Sequence, residues 1–306
     1  MALAMPGFIE PELATLVDKA PGADRYVHEL KYDGYRLQVH KRGGEITLWT
    51  RSGLNWTHRF SSIATGFKNL KAKEAIIDGE VISAEENGRP NFSQLQADLS
   101  NSRYDRMVYF CFDLMWLNGK DLRLLPLIGR KARLETLLKK LGHPIQYSQH
   151  FEGEGNPLFE EVCKQKMEGI ISKLKASPYR SDRTKDWLKI KCIQTDRYEL
   201  IGHMNGAMSL YLAKREGKDL IYVGKAGTGF TNAMIVTLGS LLKPITLEKM
   251  PLTKRPDRKN KIDNWAAPKY WAEVGFRDIT SDGLLRHVTF KGLYPSRRSK
   301  SPLVGG

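Results

Sequence analysis

Lys31, Asp33, Gly34 and Arg36 stand at fixed offsets in Glu29-Leu30-Lys31-Tyr32-Asp33-Gly34-Tyr35-Arg36, where a strand enters a turn. At about 6% usage for each charged type and about 7% for Gly, four such positions recur by accident in about 300 starting points only about five times in a thousand, so chance is an inadequate explanation. A charged hairpin turn is one reading. The other is chemical, because an uncharged lysine amine attacks phosphorus. Free lysine is mostly protonated at pH 7; Lys189, Lys191 or a divalent metal nearby would lower its pKa and neutralise a polyphosphate together. No G-x-x-x-x-G-K-[ST] loop occurs, so a polyphosphate would not be cradled by a P-loop. Gly224-Lys225-Ala226-Gly227-Thr228-Gly229 lacks that spacing and reads as a barrel turn, and the 7 histidines form no spaced ligand set.

The elements that must position these residues are mixed α and β. Residues 26–50 read as strand, tight loop, strand, strand, with Leu37 and Val39 alternating with Gln38 and His40 and a turn at Arg42-Gly43-Gly44. Residues 75–83 and 107–116 are apolar strands of a central sheet, the second buried on both faces. Helical spacing marks 91–99, 129–141 and 157–167, the middle one with Leu134, Leu137, Leu138 and Leu141 on one side. Strands follow at 168–175 and 186–192, then a boundary near 194–197. Beyond it, short strands at 198–203, 209–214, 220–224, 271–276 and 285–290, with one helix at 232–242, suggest a small barrel. Lys254, Arg255, Arg258, Lys259 and Lys261, against Asp257 alone, read either as a solvated loop or as a phosphate-facing patch.

Composition narrows the partners. Among 306 residues, 49 Lys+Arg against 34 Asp+Glu leave a net charge of +15, a footprint that points first to nucleic acid and second to an anionic membrane. The 41% hydrophobic content argues for a folded core, and no stretch approaches the roughly 18 apolar residues of a membrane span. The 3 cysteines (Cys111, Cys163, Cys192) form no C-x-x-C pair, so neither a disulfide framework nor a thiolate zinc site is expected, and a reducing cytoplasm fits.

K-x-D-G-x-R is the signature of the lysine nucleotidyltransferases, and residues 29–36 resemble its version in ATP-dependent DNA ligases. Further motifs of that family follow in order: Arg51-Ser52-Gly53; Asp78-Gly79-Glu80; residues 109–114 with Phe112; Glu168-Gly169-Ile170-Ile171-Ser172-Lys173; and Trp187-Leu188-Lys189-Ile190-Lys191. The opening, residues 8–16, and the wording around each motif are similar to the ligase domain of the bacterial ligase D family, which acts in non-homologous end joining. The resemblance covers nearly the whole chain. It implies an α+β nucleotidyltransferase domain of antiparallel sheets with flanking helices over 1–193, then an all-β OB-fold barrel domain over 194–306, with a hinge between them.

It also implies roles. Lys31 would attack the α-phosphate of ATP, release pyrophosphate and carry AMP as a phosphoramide; AMP would pass to a DNA 5′-phosphate, and a 3′-hydroxyl would displace it. Phe112 would stack on adenine, Glu29 would read its amino edge, and Glu80 and Arg51 would engage ribose hydroxyls or the nick phosphate, with core or solvated-strand roles as the plain alternatives. Arg36 would contact phosphate or ribose, or else cap the turn. Lys189 and Lys191 would face the triphosphate. Glu168 would hold Mg²⁺ or Mn²⁺. In the last motif Arg286 would orient pyrophosphate, although Val288 stands where proline is usual and the run from Tyr294 is altered. The implied partners are nicked or broken duplex DNA and an end-binding repair protein; a cytoplasmic, nucleoid-associated monomer is expected, and the initiating Met and short lead suit a stand-alone enzyme. An RNA ligase, a capping-type nucleotidyltransferase and a non-catalytic basic DNA-binding module remain alternatives.

Overall fold

The alternation of Leu37 and Val39 with Gln38 and His40 does become a strand, and it forms a hairpin with its successor around Gly43, whose φ of 59° favours glycine. The computed structural model describes residues 4–84, 90–204, 209–253, 264–280 and 282–305. The basic segment 254–261 therefore lies outside the described residues. The chain divides into two compact units, Met1–Cys192 and Ile193–Gly306.

The first unit contains, in order, β1 (Leu13–Leu16), β2 (Tyr26–Leu30), β3 (Tyr35–Arg42), β4 (Glu45–Thr50), α1 (Ser61–Gly66), β5 (Glu74–Ser83), α2 (Phe92–Ser100), β6 (Met107–Leu117), β7 (Lys120–Asp121), α3 (Leu127–Leu138), β8 (Ile145–Tyr147), β9 (His150–Phe151), α4 (Gly155–Lys164), β10 (Gly169–Leu174) and β11 (Arg183–Lys191). They make two sheets. One runs β4-β3-β5-β6-β7 with β8 beside β6; the other runs β1-β11-β10-β2-β9. The chain crosses from one sheet to the other between β2 and β3, at Lys31-Tyr32-Asp33-Gly34.

One face of the β3–β6 sheet packs Leu37, Val39, Leu48, Ile77 and Leu114 against Phe60, Ile63 and Phe67 and against Leu134 and Leu138 of α3. Each such fully buried side chain contributes roughly 1.5–3 kcal/mol of transfer free energy. The other face carries Ile76, Phe112, Met115 and Trp116, which pack with Tyr179 and with Trp187 of the second sheet. The apolar run of β6 is thus buried on both sides, as its continuity predicts.

The second unit follows as β12 (Gln194–Met204), β13 (Ser209–Glu216), β14 (Asp219–Ala226), α5 (Asn232–Leu242), β15 (Thr246–Leu247), β16 (Asn264–Ala266), β17 (Trp271–Phe276), β18 (Asp278–Ile279), β19 (Leu285–Arg286), β20 (Thr289–Tyr294) and β21 (Val304–Gly305). Its main sheet runs β14-β13-β12-β17-β20-β21 as an open path, not a closed barrel. An isolated bridge between Thr228 and Thr289 brings the chain after β14 beside β20.

Two further expectations differ from the structure. Residues 285–290 are not one strand: His287, at φ 52°, breaks the run, so β19 pairs with β18 while β20 pairs with β17. Residues 194–197 open β12, paired to β17 from Gln194 opposite Phe276 onward, directly after the division between the two units at Cys192 and Ile193. Only Cys192 and Ile193 separate β11 from β12. Finally, Cys163 and Cys192 form a disulfide with Cα atoms 5.4 Å apart, against the expectation that none is present. Their sequence spacing gives no hint of it; the end of α4 and the end of β11 converge around the turn at Met167 and Glu168, inside the range a disulfide spans. No helix among the described residues is long and apolar enough to cross a membrane.

Candidate active site

Strand register assembles the site. In the β11-β10-β2 part of the second sheet, Glu29 lies opposite Ile171 and Ile171 opposite Lys189, while Lys173 lies opposite Trp187 and Gly169 opposite Lys191. Side chains two apart share a face, so Glu29 and Lys31, Ile171 and Lys173, and Trp187, Lys189 and Lys191 emerge on one side. The Lys31 amide donates to Gly169 O at 2.9 Å, extending the pairing through Lys31. Gly169 has φ 145°, and a Cβ there would strike the Ile190 carbonyl, so only glycine fits. Gly34 is similarly fixed: a Cβ would run into the Val81 carbonyl of β5.

The facing sheet supplies the opposite wall. Arg36 pairs with Glu80 and Glu80 with Phe110, placing Arg36, Asp78 and Glu80 toward the second sheet. Between the pairs Gly79–Cys111 and Asp78–Asp113 the register slips, and Phe112 is the extra residue of the bulge. Bulges re-aim a side chain. Phe112, 9% exposed, consequently borders a cavity of about 240 Å³. That cavity is lined by Glu29, Lys31, Arg36, Arg51, Glu80 and Lys189 among the candidates, and by Lys173, Arg183 and Trp187 besides.

Lys31 Nζ lies 2.5 Å from Glu168 Oε2, and Lys191 Nζ lies 2.7 Å from Glu168 Oε1. The expected metal ligand therefore has both oxygens on lysines. Among the described residues no group of three or more His, Cys, Asp or Glu side chains is placed to hold a metal. Burial, with help from Arg183, Lys31 and Lys191, holds the Lys189 amine below the usual range. Burial pushes the Glu80 carboxyl up to about 8, against the opposing pull of Lys31 and Arg36.

Behind the wall lies a buried polar network. Glu29 accepts from Lys173 Nζ and Ser148 Oγ at Oε2, each 3.0 Å, and Lys131 Nζ stands 2.8 Å from Oε1. Burial alone would raise the Glu29 carboxyl; Lys131 and Lys173 outweigh it and hold it below the usual range. Trp187 Nε1, also buried, has no hydrogen-bond partner. Lys173 Nζ sits 4.4 Å from the centre of the Phe112 ring and 4.2 Å from that of Trp187. Deeper still, Arg130 forks onto Asp113 at 2.7 and 2.9 Å.

Arg36 is committed to the protein. Its Nε and Nη2 bind Asp78 at 3.0 and 2.6 Å, Nη1 donates to Glu12 O at 2.6 Å, and its guanidinium lies 5.3 Å from the Phe112 ring centre. It tethers the N-terminal segment to β5. Arg286 is exposed in β19 of the second unit. The sequence reading missed Lys131 and passed over Lys173 and Trp187 within their motifs. Trp187 carried a signal, standing two residues before Lys189 on the same strand, and Lys173 closes the motif that Glu168 opens; Lys131 carried none.

Comparisons with known proteins agree with this geometry. The family model for the ATP dependent DNA ligase domain matches residues 11–191, and that for the ATP dependent DNA ligase C terminal region matches residues 204–296. The chain is 35% identical over 300 residues to the multifunctional non-homologous end joining protein LigD of Pseudomonas aeruginosa, covering 94% of this chain but 36% of that protein. Against the Mycolicibacterium smegmatis LigD the figures are 29% over 306 residues, 96% and 39%; the chain thus spans well under half the length of these relatives. The crystal structure of the ligase domain from M. tuberculosis LigD matches at 28% identity and a TM-score of 0.59, over 94% of this chain and 95% of that one. The mycobacterial DNA ligase D complexed with ATP and MES matches at 27% and 0.58, over 97% and 98%. The architecture is accordingly a nucleotidyltransferase domain followed by an OB-fold domain whose sheet stays open. With more than half of its residues matched by these models, the chain belongs to the ATP-dependent DNA ligase family.

Proposed function

We propose that this chain seals 5′-phosphate/3′-hydroxyl breaks in duplex DNA through a lysyl-AMP intermediate, with residues 1–193 as the adenylating domain and 194–306 as the OB-fold domain. The observation that carries the reading is the Lys31 amine at the wall of one cavity that is also lined by an aromatic face, Phe112, and by the Glu29 carboxylate with its acceptor oxygen. Adenine fits that pair, stacking on the ring and donating its amino group to the oxygen. Glu80 and Arg51 would take the ribose or the nick phosphate, and Lys189 and Lys191 the triphosphate. Lys31 then attacks the α-phosphorus in line, a P–N bond replaces the bond to pyrophosphate, and AMP is next transferred to the DNA 5′-phosphate. The 3′-hydroxyl completes the seal and AMP leaves. Arg286 would serve the first of these steps.

Mg²⁺ or Mn²⁺, when bound, would neutralise phosphate charge. Glu168 would hold it together with nucleotide oxygens and water, which suits a cation that takes only one or two carboxylates. Arg36, which lines the cavity while forking onto Asp78, would contact phosphate or ribose from that position. The net charge of +15 suits a nucleic-acid backbone. The LigD names of the relatives support a place in non-homologous end joining; the proposal adds an end-binding repair protein as partner, the bacterial cytoplasm as location and a monomer as the working state. Incubating the protein with ATP, a divalent metal and matched nicked duplexes of DNA or RNA tests the substrate. Sealing confined to the 5′-phosphorylated DNA nick is expected; sealing of RNA alone would replace the reading.

A further inference from the structure

Glu29 is held in an unusual way for a buried acid. Its carboxylate is 2% exposed and is approached by two ammonium groups from different elements, Lys131 of α3 and Lys173 of β10, themselves 0% and 2% exposed. Removing one carboxylate and two ammonium groups from water is costly, and an apolar packing of the same volume is generally as stable. Lys131 is further fixed by donating to Ser148 O at 3.1 Å and by lying 4.6 Å from the Tyr147 ring centre. It stands 2.8 Å from Glu29 Oε1 and takes one of that oxygen's two lone pairs, while Lys173 and Ser148 take those of Oε2. An acid so arranged has its charge compensated from behind and one acceptor left over.

We propose that Lys131 is a specificity-determining positioning residue: with Lys173 it fixes Glu29 as an acceptor-only carboxylate, so that the cavity takes a purine with a 6-amino group and rejects one with a 6-oxo group. The proposal rests on the nucleotide reading above and adds to it the reason for base choice. A carboxylate facing an amino group gains a charge-assisted hydrogen bond; facing a carbonyl oxygen it meets lone pair with lone pair. A protonated Glu29 would abolish the choice, since a carboxyl group can also donate. Holding the proton off is the task of the two lysines, and Ser148 Oγ, which donates to Oε2, works in the same direction. Tyr32, Tyr147 and His150 also stand in the electrostatic neighbourhood of Glu29, and Asp113 faces Lys173. Sites built to pair one polar group discriminate strongly against its absence.

The test compares equilibrium binding of ATP and of ITP, which differs from ATP only in presenting oxo in place of amino at position 6, with no metal added, to the wild type and to Lys131→Met. The wild type should prefer ATP by about 100-fold or more at every pH from about 6 to 9. Lys131→Met should bind ATP more weakly and ITP more tightly, shrinking the ratio at least about tenfold, with the loss deepening as pH falls. A Lys131→Met protein that folds and keeps the wild-type ratio overturns the proposal. So does a loss of both nucleotides in equal measure, as a purely structural role predicts. Should that variant not fold, the wild-type series decides alone: an ATP preference that fades toward pH 6 means Glu29 is not held ionised. Covalent labelling of Lys31, followed in parallel with metal present, reports separately on the ligase reading. Tight, selective ATP binding without label would refute adenylation and leave the role of Lys131 standing, whereas binding of neither nucleotide would refute both.

Discussion

Lys31 Nζ and Glu168 Oε2 are 2.5 Å apart, and the second oxygen of the same carboxylate reaches Lys191 at 2.7 Å, so the proposed nucleophile is held in place by the residue that precedes its strand partner Gly169. The amine must leave this partner to attack phosphorus. Glu168 therefore both positions Lys31 and must exchange it for the arriving nucleotide and its counter-ion. Glu168→Gln should lower the rate of lysyl-AMP formation by about 100-fold or more, the cost of a reacting group misplaced by about 1 Å, while changing ATP binding far less. Single-turnover labelling beside a binding titration checks this. Equal losses in both would assign Glu168 to binding alone.

The Arg130–Asp113 pair is fully buried at both ends, with two further Arg130 donations to the carbonyls of Leu125 and Ser177. Breaking one partner leaves the other charge stranded. Arg130→Met should destabilise the first unit by about 3–5 kcal/mol, and Arg130→Met with Asp113→Leu should recover a large part of that loss. Denaturant unfolding of the three proteins measures it. A double variant no better than the single one would mean that the carbonyl bonds, and not the charges, carry the stability.

Glu80 sets a pH dependence whose sign is fixed. Its carboxyl titrates near about 8 in the folded protein against an ordinary value of 4.5, so the folded state keeps a proton that the unfolded chain releases. Stability from this group is present at low pH and is lost as pH climbs from about 5 to about 8, flattening above. Glu80→Gln should show a weaker fall in thermal midpoint across that window. An identical slope in both proteins would remove Glu80 as the cause.

The disulfide between Cys163 and Cys192 closes a loop that contains Glu168, Lys173, Trp187, Lys189 and Lys191. Reduction, or Cys163→Ser, should cost about 2–4 kcal/mol by freeing the unfolded chain. Thermal unfolding with and without a dithiol is the check: the wild type should shift and Cys163→Ser should not. A wild type indifferent to reductant would mean its thiols are free in solution.

Much of this architecture was legible because strand period and motif order agree. Glu29 with Lys31, and Lys189 with Lys191, are two apart on predicted strands, and a period of two puts each pair on one face whatever the fold around them. The aromatic Phe112 was legible as a motif residue, but not its reason for reaching the cavity, since a bulge is a property of two strands in register and not of either alone. Lys131 was invisible for a different reason. On a helix with a Leu stripe a basic residue beside the stripe reads as a solvated flank, and only the tertiary meeting of α3 with Glu29 turns it inward. Arg36 was legible as a motif residue, but not its forked partner Asp78, which is 42 residues away. The disulfide needed the convergence of α4 and β11. The break at His287 needed a backbone conformation that side-chain patterning does not encode.

The central claim is that Lys31 carries AMP. Incubating the wild type and Lys31→Ala with α-labelled ATP and Mg²⁺ or Mn²⁺, mapping the labelled peptide by mass, and chasing with nicked duplex DNA tests it most directly. The account predicts label on Lys31 of the wild type alone, discharged into sealed DNA. Label on another residue, or none on protein shown by mass to begin free of AMP, would contradict it.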